Sequence, residues 1–150
     1  MRNTFILGLF LLLFCSCRLE VTQHNPVRAL SETNSFLKAL YIEEDYPTAF
    51  ELSHAELRKG VTSDNLKQIV ERTKQLGTLK RLKADSYMET PGRTMELFYV
   101  GMYERGTIYH RIVLMGDATS GYKVSGVWFK AEPYPQHASR QKFNEEIFVE

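Results

Sequence analysis

The chain has 150 residues, with 19 lysines and arginines, 18 aspartates and glutamates, and a formal net charge of +1. Proteins that bind nucleic acids need a basic surface to neutralise phosphates, so this balance argues against a nucleic-acid partner. The two cysteines, Cys15 and Cys17, both precede the part expected to fold, which therefore has no disulfide. The length predicts one domain, over residues 25–135, with its own hydrophobic core.

Residues 1–16 have the features of a signal peptide. Arg2 provides a positive charge, residues 5–14 form an unbroken apolar run, and small residues follow at a cleavage-like site. The run is too short to cross a bilayer, which needs about 20 apolar residues. The stretch Phe14-Cys15-Ser16-Cys17 resembles the lipobox of bacterial lipoproteins, which implies cleavage before Cys17 and a lipid on this cysteine. The alternative is an ordinary signal peptide, cut near Cys17 to release a soluble protein.

A lipid on Cys17 predicts an exported protein that is anchored to a bacterial membrane, with residues 17–24 as a tether. In enterobacterial lipoproteins, Asp after the lipidated cysteine favours retention at the inner membrane. Arg18 occupies this position here, which is compatible with transfer to the outer membrane, facing the periplasm, in an organism that has one. The membrane is therefore the first expected partner.

Three helices are predicted at the start of the domain. Asn25 caps the first helix, which continues to about Ile42 with apolar residues at helical spacing. Asp45 caps a shorter second helix. The third is the best defined, since Ser63 can cap it, an apolar stripe follows, and Gly77 ends it.

After Gly77 the pattern changes to alternation of apolar and polar residues, with many β-branched and aromatic side chains. It predicts a four-stranded antiparallel meander over residues 78–90, 94–103, 108–115 and 122–131. Pro133 and Pro135 end the sheet because proline cannot donate to a strand ladder. Residues 136–150 are expected to form a tail or a short helix.

Two stretches, residues 45–53 and residues 122–127, together with a third helix that ends at Leu76-Gly77, are similar to small bacterial lipoproteins of unassigned function. These lipoproteins have a nuclear-transport-factor-two-like domain, also called the cystatin-like cone. The resemblance implies an α+β fold in which a curved sheet surrounds the first helix and leaves a conical cavity. Such cavities bind apolar ligands, support catalysis or accept partners, so the fold cannot assign the function.

His110 is the candidate catalytic residue. It is the polar member of an otherwise apolar strand face, which also carries Ile108 and Ile112. If the neighbouring strand places Glu96 or Glu104 beside it, the pair could act as a general base and an orienting carboxylate. The alternative is a histidine hydrogen-bonded within the core.

Tyrosines supply a candidate interface. Tyr99, Tyr103 and Tyr109, with Arg111, are expected on the second sheet face, where they could bind a protein or a second copy of the chain. The alternative is a solvated tyrosine ladder that stabilises neighbouring strands. Histidines are scattered through the chain without ligand spacing, so no metal and no cofactor are predicted.

The absence of nucleophile and phosphate-loop motifs favours a non-enzymatic protein. The leading hypothesis is a lipid-anchored extracytoplasmic domain that binds a small apolar ligand or an envelope protein. The alternative is a small cone-fold hydrolase or isomerase that uses His110 with a nearby carboxylate.

Overall fold

The computed structural model describes residues 22–150. Within them, a helical N-terminal part packs on one face of an open, antiparallel five-stranded sheet, which confirms the α+β class. No helix in the described residues is long and apolar enough to cross a membrane. The predicted signal peptide, the predicted lipidation site Cys17 and the predicted tether up to residue 21 lie outside the described residues.

The first helix, α1 (Pro26–Leu37), begins where the sequence predicts. The side chain of Asn25 accepts a hydrogen bond from the Arg28 amide at 3.0 Å, and Pro26 occupies the first turn, where its missing N–H is not needed. The helix then continues as a π-helical turn, Lys38–Ile42, which is closed by a hydrogen bond from the Glu43 amide to the Lys38 carbonyl oxygen. This turn buries Ala39, Leu40 and Tyr41.

Three further helices follow, so the described chain has one more α-helix than predicted. They are α2 (Tyr46–Glu51), α3 (Ala55–Gly60) and α4 (Ser63–Lys74). Asp45 caps α2 as expected, whereas α4 is capped by Thr62 and not by Ser63. Thr62 and Asn65 form a reciprocal capping box, which satisfies two amides that would otherwise lack partners. The short α3 was not predicted, because it buries no side chain and so has no apolar stripe in its sequence.

The first four strands lie close to their predicted positions. They are β1 (Leu79–Thr90), β2 (Thr94–Tyr103), β3 (Gly106–Asp117) and β4 (Gly121–Lys130). Each pairs antiparallel with the next, and β-bulges interrupt the β1–β2 and β3–β4 registers. The core lies between this sheet and the helices, with α1 against β4.

The prediction of four strands and a C-terminal tail or short helix is wrong. Residues Gln141–Phe148 form a fifth strand, β5, which pairs antiparallel with the free edge of β1 and gives the order β4-β3-β2-β1-β5. The spacing of Phe143 and Ile147, four residues apart, is compatible with a helix. The same spacing also puts two side chains on one face of a strand, because strands repeat every two residues.

Cross-strand partners in an antiparallel sheet share a face. Tyr99 pairs with His110, and both lie on the inner face, which packs against the helices; Phe98 pairs with Arg111 on the outer face. Residues 131–140 connect β4 to β5 beside the outer face, where Arg140 lies 3.9 Å from the centre of the Phe98 ring. The register therefore decides which candidate residues can meet.

Candidate functional site

A pocket of about 560 Å³ opens at one end of the domain. Its walls come from the ends of separate elements: the π-helical turn, the last turn of α4, the start of β1 and the end of β2. The lining residues are Tyr41, Ile42, Glu44, Val70, Thr73, Lys74, Gly77, Thr78, Leu79 and Tyr103. The volume lies within the range of roughly 300–1,000 Å³ that is typical of small-molecule sites.

The π-helical turn supplies one wall of this pocket. Turns of this type are rare and occur frequently at functional sites. Here the turn buries Tyr41 and leaves Ile42 47% exposed at the rim. Glu44 follows with a φ of +53°, which is uncommon for a residue other than glycine. Its carboxylate accepts a hydrogen bond from Lys74 at 2.8 Å, so an ion pair joins the two sides of the rim.

Tyr103 forms the inner wall and has an unpaired polar atom. Its hydroxyl oxygen is buried and has no hydrogen-bond partner in the described part of the chain. Burial raises the pKa of Tyr103, and the Thr73 side chain lowers it by a smaller amount. Thr73 does not satisfy the Tyr103 hydroxyl, because it donates its proton to the Val70 carbonyl oxygen at 2.8 Å. An unpaired buried hydroxyl costs about 1–3 kcal/mol, so a ligand that bonds to it recovers this energy.

His110 lies behind the pocket and not in its lining. Its Nδ1 is 3.4 Å from the Tyr41 hydroxyl, and its Nε2 is the second buried side-chain polar atom without a partner among residues 22–150. Gly101 separates the His110 and Tyr103 rings, since a Cβ at this position would lie 3.0 Å from Nε2 and 3.1 Å from the Tyr103 ring. Burial lowers the pKa of His110 to about 4, so the imidazole is neutral at neutral pH.

The structure does not bring the three candidate catalytic residues together. Glu96 lies on the outer face, where both its oxygens accept hydrogen bonds from Arg111 at 2.6 and 2.7 Å. Glu104 lies in the exposed β2–β3 turn and pairs with Lys80 at 2.7 Å. No carboxylate within residues 22–150 hydrogen-bonds to His110. His110 and Glu96 were expected on the same sheet face, but they lie on opposite faces. The register sets His110 opposite Tyr99, and Glu96 is three residues from Tyr99, so its side chain points to the other side of the sheet.

The four candidate interface residues divide between the two faces. Tyr99 and Tyr103 lie on the inner face and are 1% and 8% exposed, so they belong to the core and the pocket wall. Tyr109 and Arg111 lie on the outer face, as expected. The interface prediction is thus wrong for Tyr99 and Tyr103. In this register the odd-numbered residues of β2 share a face with the even-numbered residues of β3, so these two tyrosines lie on the face opposite Tyr109 and Arg111.

Trp128 was not singled out from the sequence, yet it is 49% exposed on the outer face. It pairs across strands with Arg111, whose guanidinium lies 5.3 Å from the centre of the indole ring. The indole also lies over Gly126, where any Cβ would overlap it. The sequence of β4 could have indicated this arrangement, because residues two apart in a strand, such as Gly126 and Trp128, lie on the same face.

The described residues contain no group of three or more histidine, cysteine, aspartate or glutamate side chains that could hold a metal ion. The chemistry available in the pocket is therefore that of uncharged tyrosines, apolar walls and one ion pair at the rim. Comparison of the chain with protein-family models, with curated proteins and with solved structures gives no match in any of the three.

Proposed function

We propose that the protein is a binding module that takes a small, largely apolar ligand into the pocket between Tyr41 and Tyr103, and that a lipid on Cys17 anchors it outside the cytoplasm. The buried, unpaired Tyr103 hydroxyl carries the proposal. Polar groups are rarely buried without a hydrogen-bond partner, so each exception needs an explanation. A ligand that accepts a hydrogen bond from this hydroxyl is such an explanation.

The lining defines the class of ligand. Ile42, Val70 and Leu79 offer an apolar surface, and Tyr103 forms part of the inner wall, with its unpaired hydroxyl buried. The charges of Glu44 and Lys74 neutralise each other at the rim. This arrangement suits an uncharged molecule with an apolar body and a carbonyl or similar acceptor at its buried end.

The proposal includes the cystatin-like cone, with the pocket as its mouth. Support comes from the order of the elements, in which the helices precede the antiparallel strands, and from the packing of α1 against the sheet. Bulges between Ala84 and Ser86 in β1, and at Ser125 in β4 opposite Val113 and Leu114, would bend the strands around that helix.

Export and anchoring are supported by the sequence of residues 1–17 alone. We place the domain in the periplasm, on the outer membrane of a bacterium that has one. An envelope protein or a second copy of the chain is a further expected partner, and the half-exposed Trp128 beside Arg111 favours the outer sheet face for that contact. The hydrolase or isomerase alternative has less support, because His110 does not line this pocket, is fully buried, and has no carboxylate hydrogen-bond partner among residues 22–150.

The test is a ligand-detected NMR screen of small aryl ketones and amides. For compounds that bind, Tyr103→Phe is expected to weaken affinity about five- to tenfold, since it removes one hydrogen bond worth about 1–1.5 kcal/mol. Tyr109→Phe, on the outer face, is the matched control and should bind like the wild type. Because Tyr103→Phe removes an unpaired hydroxyl, its stability should equal or exceed that of the wild type. Binding unaffected by Tyr103→Phe, or no binding by any compound, would overturn the proposal.

A further inference from the structure

The chain enters the domain at the end opposite the pocket. The Gln23 carbonyl oxygen accepts a hydrogen bond from the Ala118 amide at 2.9 Å. Nε2 of His24 lies 3.2 Å from the Gly92 carbonyl oxygen, and the Asn25 amide donates to the Tyr122 hydroxyl at 2.8 Å. The entering segment is therefore fixed against the β1–β2 turn (residues 91–93) and the β3–β4 turn (residues 118–120), which we call the entry turns.

Two independent paths measure the distance from this end to the pocket. The strand β1 begins at the pocket with Leu79 and ends at the entry turns with Thr90, which at 3.3 Å per residue is about 36 Å. From Pro26, α1 and the π-helical turn run in the other direction and reach the pocket at Ile42, roughly 25 Å away. The pocket and the point of chain entry are thus at least about 25 Å apart.

The link to a lipid on Cys17 is shorter than this distance. From Cys17 to Thr22 there are five peptide links, which extend to about 18 Å at most. With the lipid in the bilayer, the domain cannot turn over so that its pocket end rests on the membrane and its entry turns point away from it.

From this we infer that the entry turns face the membrane and that the pocket opens to the aqueous compartment, so that its ligand arrives through water and is not taken directly from the bilayer. The inference rests on the lipid anchor in the proposed function. It makes the entry turns the membrane-contacting surface of the domain.

The charges at this end do not favour one lipid class. Arg93 pairs with Asp117 at 2.5 Å, and Arg28 pairs with Glu32 at 3.1 Å. Because these groups neutralise each other, the length of the tether and its point of attachment set the orientation. The same orientation is expected on neutral and on anionic vesicles.

The test uses the full lipidated chain with one added cysteine at either end of β3, Thr119→Cys or Arg105→Cys. Cleavage before Cys17 removes Cys15 and the lipid blocks Cys17, so each added cysteine is the free thiol for a fluorophore. The proteins are reconstituted into phosphatidylcholine vesicles that contain a lipid with a nitroxide on its headgroup. Quenching is expected to be several-fold stronger for the label at residue 119 than for the label at residue 105, and addition of phosphatidylglycerol should not change the ratio.

Equal quenching at both positions, or stronger quenching at residue 105, would overturn the orientation and leave the anchor intact. A chain that begins at residue 18, and so has neither the signal peptide nor the lipid, is the control and should not sediment with vesicles. If the wild-type chain also fails to sediment, the anchor proposal is wrong, and so is the orientation that depends on it. The ketone and amide screen tests the pocket separately, so failure of the binding proposal is distinguishable from both.

Discussion

In the interior of the domain, Nδ1 of His110 lies 3.4 Å from the hydroxyl oxygen of Tyr41, with the two rings edge to face at 5.2 Å between centroids. This contact joins the middle of β3 to the π-helical turn and lies immediately behind the pocket. Burial raises the pKa of Tyr41 and lowers that of His110, so both groups are uncharged at neutral pH. The burial of a neutral imidazole has consequences for the response of the domain to acid.

The first prediction concerns stability against pH. The pKa of His110 is about 4 in the folded chain and about 6.5 when unfolded, so between these values the unfolded chain binds more protons. Stability from this group is therefore fully present above about pH 6.5, falls as the pH is lowered towards 4, and changes no further below that. The total loss is on the order of 3 kcal/mol. Urea unfolding from pH 7.5 to 4 measures it.

The control for this pH profile is His110→Gln, which lacks the titrating group. Whatever its free energy of unfolding at pH 7, the change of that free energy between pH 6.5 and 4.5 should be smaller than in the wild type. Parallel profiles for the two proteins would show that His110 is not buried as described.

The second prediction concerns the close approach at Gly101. A methyl group there would meet Nε2 of His110 at 3.0 Å and the Tyr103 ring at 3.1 Å, so Gly101→Ala should destabilise the domain by about 1–3 kcal/mol. Gly60→Ala is the matched control, because a Cβ at residue 60 has nothing within 4 Å. Chemical denaturation compares the two. Equal stabilities would contradict the packing of the two rings around Gly101.

The third prediction concerns the Glu96–Arg111 pair on the outer face. Arg111→Met leaves the Glu96 carboxylate, 10% exposed, without its two charged hydrogen bonds. A loss of about 1–3 kcal/mol is expected, moderated because the Arg111 side chain is 37% exposed. Adding Glu96→Gln should recover part of it, since the unpaired charge disappears. Urea unfolding of both single variants and the double variant gives the coupling free energy between the two side chains. If the losses in the single variants simply add in the double variant, the Glu96–Arg111 interaction is contradicted.

Much of the fold is accessible from local sequence. The alternation after Gly77 locates β1 to β4 within a few residues, and Asn25 with Pro26 locates the start of α1. The fifth strand is not accessible in this way. Phe143 and Ile147 fit a helix or a strand equally well, and the choice is made by the free edge of β1, which is distant in the chain.

The site was less predictable because it depends on register and tertiary contact. Alternation correctly puts His110 with the apolar residues of β3, but only the pairing of His110 with Tyr99 determines which residues of β2 join it. The pocket needs Tyr41 and Tyr103, which lie far apart in the chain, and a π-helical turn that apolar spacing reads as ordinary helix. No local pattern encodes these relationships.

The fourth prediction concerns the attachment of β5. The Arg140 side chain is 6% exposed, donates to Asp85 at 2.9 Å and to Ser86 at 2.6 Å, and covers the Phe98 ring. Arg140→Ala should release β5, with amide exchange in residues 141–148 about tenfold faster or more, equivalent to about 1.4 kcal/mol of local opening. Lys142→Ala is the control, since Lys142 is 70% exposed and 3.9 Å from the same Asp85. Hydrogen exchange followed by mass spectrometry distinguishes them.

The last prediction concerns the anchor. If Cys17 becomes the lipidated N-terminal residue, Cys17→Ser must abolish incorporation of a labelled fatty acid. Cys15→Ser is the matched control, because residue 15 would be removed with the signal peptide and a small residue is retained at the cleavage site. It should label like the wild type. Labelling lost in both variants would point to a processing defect, whereas an unmodified N-terminus in mass spectra of the mature wild-type protein would favour a released, soluble domain. In that case the pocket proposal stands unchanged, since none of its lining residues precedes Tyr41.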